Sequence, residues 1–198
     1  MTAEQLGTLG LAAGVSVASG IRVYATIAVL GLLHRLDVLH LPPTLEPLSH
    51  PAIIAIATAL YVTEFVADKV PAFDTVWDAV HTFVRVPAAA VLAFAMLGDV
   101  AEPWRSAAAL LGGTVALSAH GLKAGARLAA NTSPEPFSNW VLSFGEDLAV
   151  AGILWMAANH PLLSLLVAVG VLLVAVLSLR WILRTLRRLF GRRPVPGT

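Results

Sequence analysis

The sequence predicts an all-α protein, a polytopic helical membrane bundle of about six helical segments, and three observations lead to that prediction. The 198-residue chain is 58% hydrophobic and only 13% charged, and its mean hydropathy of +0.80 exceeds that of soluble domains. Its apolar runs reach roughly 20 residues, the length that crosses a bilayer. Its ionisable residues between Glu64 and Asp147 lie within such runs at helical spacing, which predicts a polar face inside the bundle.

Composition also bounds the domain organisation. We expect one transmembrane domain over residues 1–180 and a basic tail over residues 181–198, because no stretch is polar enough for a separate soluble domain. The lack of cysteine excludes disulfides, thiolate metal sites and a cysteine nucleophile. The first six residues lack the basic region of a cleavable signal, so the first apolar run is expected to stay as a helix. The expected partner is the lipid bilayer and not nucleic acid.

A cluster of arginines near the C-terminus predicts the orientation of the chain. The cluster holds six of the thirteen basic residues: Arg180, Arg184, Arg187, Arg188, Arg192 and Arg193. Basic residues directly after an apolar run are typical of a cytoplasmic end, so we expect a multi-pass protein of the cell inner membrane with its C-terminus in the cytoplasm. The same arginines are candidates for binding anionic lipid headgroups. The sequence leaves open whether the chain forms a homo-oligomer.

The first two segments are joined by a proline-containing loop. The first, from about Leu6 to Leu33, carries Arg22 near its middle, too far from either end to reach water, so it needs an anionic partner in the bundle. The loop covers residues 34–50. The second segment, over residues 51–69, ends with two carboxylates one turn apart, Glu64 and Asp68, and Pro71 then interrupts the helix.

The remaining four segments are predicted over residues 73–97, 104–130, 137–158 and 161–179. Two prolines and several small polar residues between Asn131 and Trp140 indicate a second interruption or a re-entrant turn. The fifth segment carries Asn139, Ser143, Glu146 and Asp147 along one side. The last segment is almost purely Leu, Val and Ala, which is typical of a lipid-facing helix.

The third and fourth segments carry polar stripes of opposite charge. Asp74, Asp78, His81 and Arg85 follow one another at offsets of 0, 4, 7 and 11, which places them on one helix face. The basic stripe has offsets of 0, 3, 7 and 11 and consists of His120, Lys123, Arg127 and Asn131. Burying these charges unpaired would cost several kcal/mol each. We therefore expect the two stripes to pair in one interior network.

A shift of 63 residues aligns the chain with itself and indicates an internal repeat of two helix-break-helix hairpins. The aligned pairs are Pro71 with Pro134, Trp77 with Trp140, Glu64 with Arg127, and Asp68 with Asn131. A duplicated ancestor whose copies became acidic and basic would explain this pattern. Repeats with interrupted helices around a central site are a recurring transporter plan.

The favoured function is therefore a transporter or channel-like protein that moves or binds a small ion or anionic solute through the charged interior, with proton or cation coupling. Protonatable carboxylates and histidines inside a membrane are typical of such proteins. The expected binding residues are Arg22, Glu64, Asp68, Lys69, His120, Lys123, Arg127, Asn131, Ser138, Asn139, Glu146 and Asp147.

Two alternatives remain at this point. Asp74, Asp78 and His81 share a helix face and would suit a divalent metal ion as cofactor, which makes an intramembrane metal-dependent enzyme acting on a phosphate or lipid substrate the runner-up. The chain matches no strict catalytic motif, so an enzyme is less favoured than a transporter. The second alternative is a structural assembly factor, in which the ion pairs only hold the helices in register.

Several of these segments together resemble a known membrane family, domain of unknown function 4126. The segments are Ser19-Gly-Ile-Arg-Val-Tyr24, Glu64-Phe-Val-Ala-Asp-Lys-Val-Pro71, Asp74 to Arg85, His120 to Arg127, and Asn131 to Asp147. The resemblance covers roughly residues 5–180. It implies a membrane architecture and importance of these residues, and it implies no activity or substrate.

Overall fold

The structure is a computed structural model that describes residues 3–132 and 137–190. Within these residues the chain forms six α-helices and one 3-10 helix, with no strand, which confirms the all-helical prediction. The α-helices are α1 (Ala3–Arg35), α2 (Pro51–Ala67), α3 (Pro71–Met96), α4 (Glu102–Ala130), α5 (Phe137–Asn159) and α6 (Pro161–Phe190). The 3-10 helix covers Pro43–Ser49 in the loop between α1 and α2.

Prolines and turn residues set most helix boundaries. Pro51, Pro71 and Pro161 each stand at the first position of a helix, where the missing N–H costs nothing and the fixed φ suits the helix. Gly98, with a φ of +38°, makes the tight turn between α3 and α4 that a side chain would strain. Pro87 lies inside α3 without ending it.

The first helix is the centre of the bundle. Its most apolar stretch is 72% buried, against 28% in α3, 22% in α5 and 11% in α6. α1 contacts all the other helices. Glycines allow this close approach because a Cβ at these positions would overlap a neighbouring helix or loop. They are Gly10 against Pro161, Gly14 against Ala157, Gly20 against Ala116, and Gly31 against Leu48.

The outward faces are apolar, as a bilayer requires. Four described helices, α1, α3, α5 and α6, are long and apolar enough to cross a membrane, and the 3-10 helix with α2 makes a fifth if this pair, bent by 67°, forms one span. The sequence predicted about six segments, and the described residues hold six α-helices. α4 has 29 residues but falls short on composition, because its buried face consists of small and charged residues such as Gly112 and Arg127.

Three helical segments are interrupted. The predicted break between α2 and α3 lies at Asp68 to Val70. α4 ends at Ala130, and the predicted break there continues through Asn131 and Thr132, whereas Pro134 lies outside the described residues. The third interruption was not predicted: α1 has non-helical φ and ψ of −147° and 89° at Arg22.

The C-terminal arginines begin on a helix. α6 continues without a break to Phe190 and carries Arg180, Arg184, Arg187 and Arg188, so the boundary predicted at residue 180 lies within one continuous helix. Arg180 and Arg184 are exposed. Arg192 and Arg193 lie outside the described residues.

Candidate functional site

The interrupted segments bring ten charged side chains together in the bundle interior. Each is within 4.0 Å of an opposite charge in this set, which we call the charge network. Its members are Arg22, Glu64, Asp68, Asp74, Asp78, Arg85, Lys123, Arg127, Glu146 and Asp147. The acidic and basic stripes therefore meet as the sequence predicted.

Arg22 is the central cation of the network. Its side chain is completely buried and contacts carboxylates of two helices, α2 and α5. The N–O distances are 2.6 Å to Asp68, 2.7 Å to Asp147, 3.2 Å to Glu146 and 3.9 Å to Glu64. The backbone carbonyl of Arg22, at the kink, accepts a hydrogen bond from the Thr26 hydroxyl at 2.9 Å. The hydroxyl thus supplies a hydrogen-bond donor that lipid could not provide.

Arg127 joins the two helix breaks. Its Nε and Nη2 atoms each lie 2.8 Å from a different oxygen of Glu146, a bidentate pair that fixes the guanidinium plane. The same side chain donates to the Asp68 carboxylate at 3.0 Å and to the Asp68 backbone carbonyl at 3.2 Å. One residue of α4 thus holds the C-terminal end of α2.

The other half of the network lies between α3 and α4. Arg85 donates to Asp78 at 2.7 Å and also to Glu64. Lys123 Nζ is 3.3 Å from Glu64, 3.4 Å from Glu146 and 3.6 Å from Asp78. Glu64 is therefore shared by three cations, since Arg22 also lies within 3.9 Å.

The contacts of His120 identify its protonation state. Arg85 Nη1 lies 2.8 Å from His120 Nδ1, and because an arginine can only donate, Nδ1 must accept. The other ring nitrogen, Nε2, is 2.7 Å from the Thr82 hydroxyl, which itself donates to the Asp78 backbone carbonyl. His120 is thus the neutral tautomer with its proton on Nε2, donating to Thr82.

Polar residues at the break between α4 and α5 extend the network. Asn131 donates to Asp74 at 3.2 Å and accepts from Asn139 at 2.7 Å, so the break is tied to the first turn of α3. Asn139 is buried, whereas Ser138 beside it is half-buried at the edge.

His81 lies outside these ion pairs. Its ring stacks on Trp77 with centroids 3.9 Å apart and meets the edge of Tyr24 at 5.7 Å. Its Nδ1 lies 2.8 Å from the Trp77 carbonyl and must donate, since a carbonyl only accepts. Asp74, Asp78 and His81 share a face of α3 but have separate partners, and no group of three or more potential ligands in the described residues is arranged to hold a metal ion.

Lys69 is held by aromatic rings. Its ammonium lies 3.6 Å from the Phe65 ring centroid, 5.2 Å from that of Trp140 and 5.6 Å from that of Phe144. The Nζ atom is buried, and the described residues supply no hydrogen-bond partner for it. Among the predicted binding residues, Lys69 therefore stands apart from the network although its neighbour Asp68 is a member.

Sequence reasoning did not assign four contacts of the site. Arg85 stood in the predicted stripe but not among the binding residues, and Ser143, whose hydroxyl is 2.8 Å from Arg22, was also left out. Tyr61 hydrogen-bonds Asp147, and its ring centroid lies 5.7 Å from the Arg22 guanidinium. It lies one turn before Glu64, and this helical spacing could have indicated from the sequence that the two residues share a face. Thr82 carried no signal in the sequence.

Several network oxygens lack hydrogen-bond donors within the described part of the chain. They are Glu64 Oε2, Asp68 Oδ1, Asp74 Oδ1 and Asp78 Oδ2. Buried polar atoms without partners are uncommon and indicate an additional ligand, proton or water. The network is also unbalanced, because six carboxylates face four cations among its ten members.

Most of the network is buried, although the side chains of Glu146 and Asp147 are 12% and 23% exposed. Two depressions on the described surface lie elsewhere: a groove of about 310 Å³ is lined by α2 and α3 residues such as Val66 and Phe73, and another is formed around Leu11, Leu41 and Pro161. Neither contains a network residue.

Comparison with known proteins places the chain in a family without a described activity. A family model described as a domain of unknown function (DUF4126) matches residues 9–181, so the resemblance noted from the sequence is confirmed. No curated protein and no solved structure matches the chain.

Proposed function

The chain belongs to the DUF4126 family of unknown function, and we propose that it is a transporter that moves a small charged solute across the membrane through the charge network. The described structure is then a state in which most of the site is buried. Transport alternates between such a state and states open to one side.

The observation that carries this proposal is the convergence of three helix interruptions on one site. Arg22 marks the kink of α1, Asp68 is the residue that ends α2 and Asn131 the residue that ends α4. Arg22 and Asp68 are network members, and Asn131 contacts the network through Asp74. Non-helical backbone within a membrane is tolerated where it surrounds a cavity or binding site.

Helix association alone does not require these charges. Membrane helices pack well through small residues, as the glycines of α1 show. Burying each ion costs several kcal/mol before pairing, and the pairing is incomplete because network oxygens lack donors. Charged side chains that are present in the membrane interior despite this desolvation cost usually have a function, which supports a functional role for the network.

We also propose that the two hairpins descend from one ancestor. The shift of 63 residues pairs Asp68 with Asn131, and both are the C-terminal caps of their helices, with their N–H groups bonded to the carbonyls of Glu64 and Arg127. The matching caps support a duplication, and Arg127 of the second copy now pairs with Asp68 of the first at 3.0 Å.

The orientation is proposed from the C-terminal arginines. We place the C-terminal end of α6 at the cytoplasmic face of the inner membrane, where Arg180 and Arg184 would contact anionic headgroups. The part of α6 before Arg180, residues 161–179, is about 28 Å long. This length is close to the roughly 30 Å hydrocarbon core, which puts the arginines at its edge and beyond.

Flux measurement in proteoliposomes tests the transport proposal. Purified protein should conduct charged solutes in an ion screen, and Glu64→Gln should reduce that flux at least tenfold because Glu64 pairs with three cations. Glu46→Gln is the matched control, since Glu46 is exposed in the 3-10 helix. Absence of flux for all solutes by the wild-type protein, or equal flux in both variants, would contradict the proposal.

A structural assembly role is the second candidate, and the pairing of all four network cations with carboxylates favours it. In that case the wild-type protein would bind a partner and carry no solute, and the network would only hold helices together. The metal-dependent enzyme remains a prediction from the sequence, and the separate contacts of Asp74, Asp78 and His81 give it no support.

A further inference from the structure

The charge balance of the network indicates the sign of its solute. Six carboxylates and four cations leave two negative charges in excess, and His120 is neutral. Adding the nearby Lys69 still leaves one negative charge in excess. Uncompensated charge in a low-dielectric interior is costly, so the site gains most from a positive ligand.

The network contains carboxylate oxygens that lack hydrogen-bond donors and could bind a cation. Glu64 Oε2, Asp68 Oδ1 and Asp78 Oδ2 have no hydrogen-bond donor in the described residues, although the side chains of the three residues are 0%, 0% and 6% exposed. Each is an acceptor that an ammonium group or a proton would satisfy, whereas an anion would find it repulsive.

The second independent observation is an aromatic cage that already holds an ammonium. Phe65 of α2 and Trp140 and Phe144 of α5 surround the Lys69 Nζ, and the Phe65 and Phe144 rings meet edge to face at 5.8 Å. Ring faces attract alkylammonium groups, and aromatic cages are a common means of binding them. The negative faces of the three rings therefore favour a positively charged group.

The cage also lies between the network and the protein surface. Trp140 and Phe144 are 47% and 53% exposed, whereas Asp68, adjacent to Lys69 in sequence, is buried against Arg22. In the described residues α2 packs on α1 and has little backbone contact with α5, so aromatic side chains and Lys69 fill the space between the two helices.

We infer that the solute of the charge network is a small monovalent cation of the ammonium class, which enters between α2 and α5 through the aromatic cage that Lys69 fills in the described structure. This inference rests on the proposed transport function and names its substrate class. Lys69 then acts as a tethered competitor that leaves the cage when the solute enters.

Binding and flux of methylammonium test the inference. Methylammonium, potassium, acetate and phosphate are compared at equal ionic strength by thermal stabilisation of the detergent-solubilised protein and by uptake into proteoliposomes. The wild-type protein should be stabilised by methylammonium more than by the anions. Lys69→Met, which removes the competing ammonium, should bind methylammonium about tenfold more tightly, whereas Lys69→Arg should not.

Matched aromatic variants provide the control. Phe65→Leu should weaken methylammonium binding in the Lys69→Met background, and Phe83→Leu should not, because Phe83 is 83% exposed on α3. If Lys69→Met does not fold, the wild-type comparison of cations with anions still decides the sign of the solute.

The outcomes separate this inference from the proposed function. Anion flux without cation flux would overturn the inference and leave transport standing. Potassium bound as well as methylammonium, with no effect of Phe65→Leu, would overturn the ammonium class, and proton uptake alone would overturn a cation solute. Absence of flux for every solute would overturn the proposed function itself.

Discussion

The two ends of the α3–α4 hairpin are held together in different ways. At one end, Asp74, Asp78 and Arg85 face His120, Lys123 and Arg127 across the interface in ion pairs and hydrogen bonds. At the other end, glycines meet alanines: a Cβ on Gly112 would lie 2.5 Å from the Ala93 Cβ, and one on Gly113 would lie 3.4 Å from that of Ala90. The same two helices thus use charge at one end and close packing at the other.

We expect this difference in chemistry to correspond to a difference in role. At the packed end the helices meet through small residues, a means of association that membrane helices commonly use without charges. The charged end adds a desolvation cost and leaves oxygens unpartnered. If the two ends differ in role as well as chemistry, mutations at the packed end should change stability alone, and mutations at the charged end should change transport.

The largest effect is expected from Arg22→Met. The change leaves Asp68, Glu146 and Asp147 without their shared cation, and removing one partner of a buried ion pair costs about 3–5 kcal/mol. Thermal unfolding in detergent should show this loss, and flux per folded molecule should be abolished. Arg105→Met is the control, because Arg105 is only half-buried near Phe94. A fully stable and active Arg22→Met protein would show that the network is dispensable.

A smaller effect is expected at the packed end from Gly112→Ala. The new methyl group would overlap Ala93 and approach the Ser16 hydroxyl at 2.8 Å, and overpacking costs about 1–3 kcal/mol. Unfolding midpoints should fall while flux per folded molecule stays unchanged. Gly121→Ala is the matched control on the same helix, since a Cβ there meets no atom within 4 Å. Loss of flux in Gly112→Ala at preserved stability would remove the distinction between the two ends.

The smallest effect is expected far from both ends. Replacing Arg180 and Arg184 by glutamine should weaken interaction with anionic lipid by about 1 kcal/mol for each arginine and leave stability and flux unchanged. Comparing protein retention in nanodiscs or vesicles with and without phosphatidylserine measures this. An unchanged lipid preference would remove the headgroup role proposed for these arginines.

Sequence reasoning located most of the site because charge is so rare in this chain. In a chain of 13% charged residues, a carboxylate such as Asp78 or an arginine such as Arg127 within an apolar run must be paired inside. Thr82 was missed because serine and threonine hydroxyls often bond to a carbonyl of their own helix. The sequence does not distinguish such a residue from one that contacts a binding site. The kink at Arg22 was not predicted, although Ser19 and Gly20 stand just before it and Ser-Gly pairs are a known cause of kinks.

The sequence by itself determined the helical segments, the membrane environment and the opposite charges of the two stripes, because these follow from hydropathy and from the 3.6-residue period. Only the tertiary structure decided that the first helix lies at the centre, that Arg22 meets carboxylates from two other helices, and that Lys69 turns away from the network into an aromatic cage. These features depend on which helices pack together, and contacts between residues as distant as Arg22 and Asp147 have no local signature in the chain.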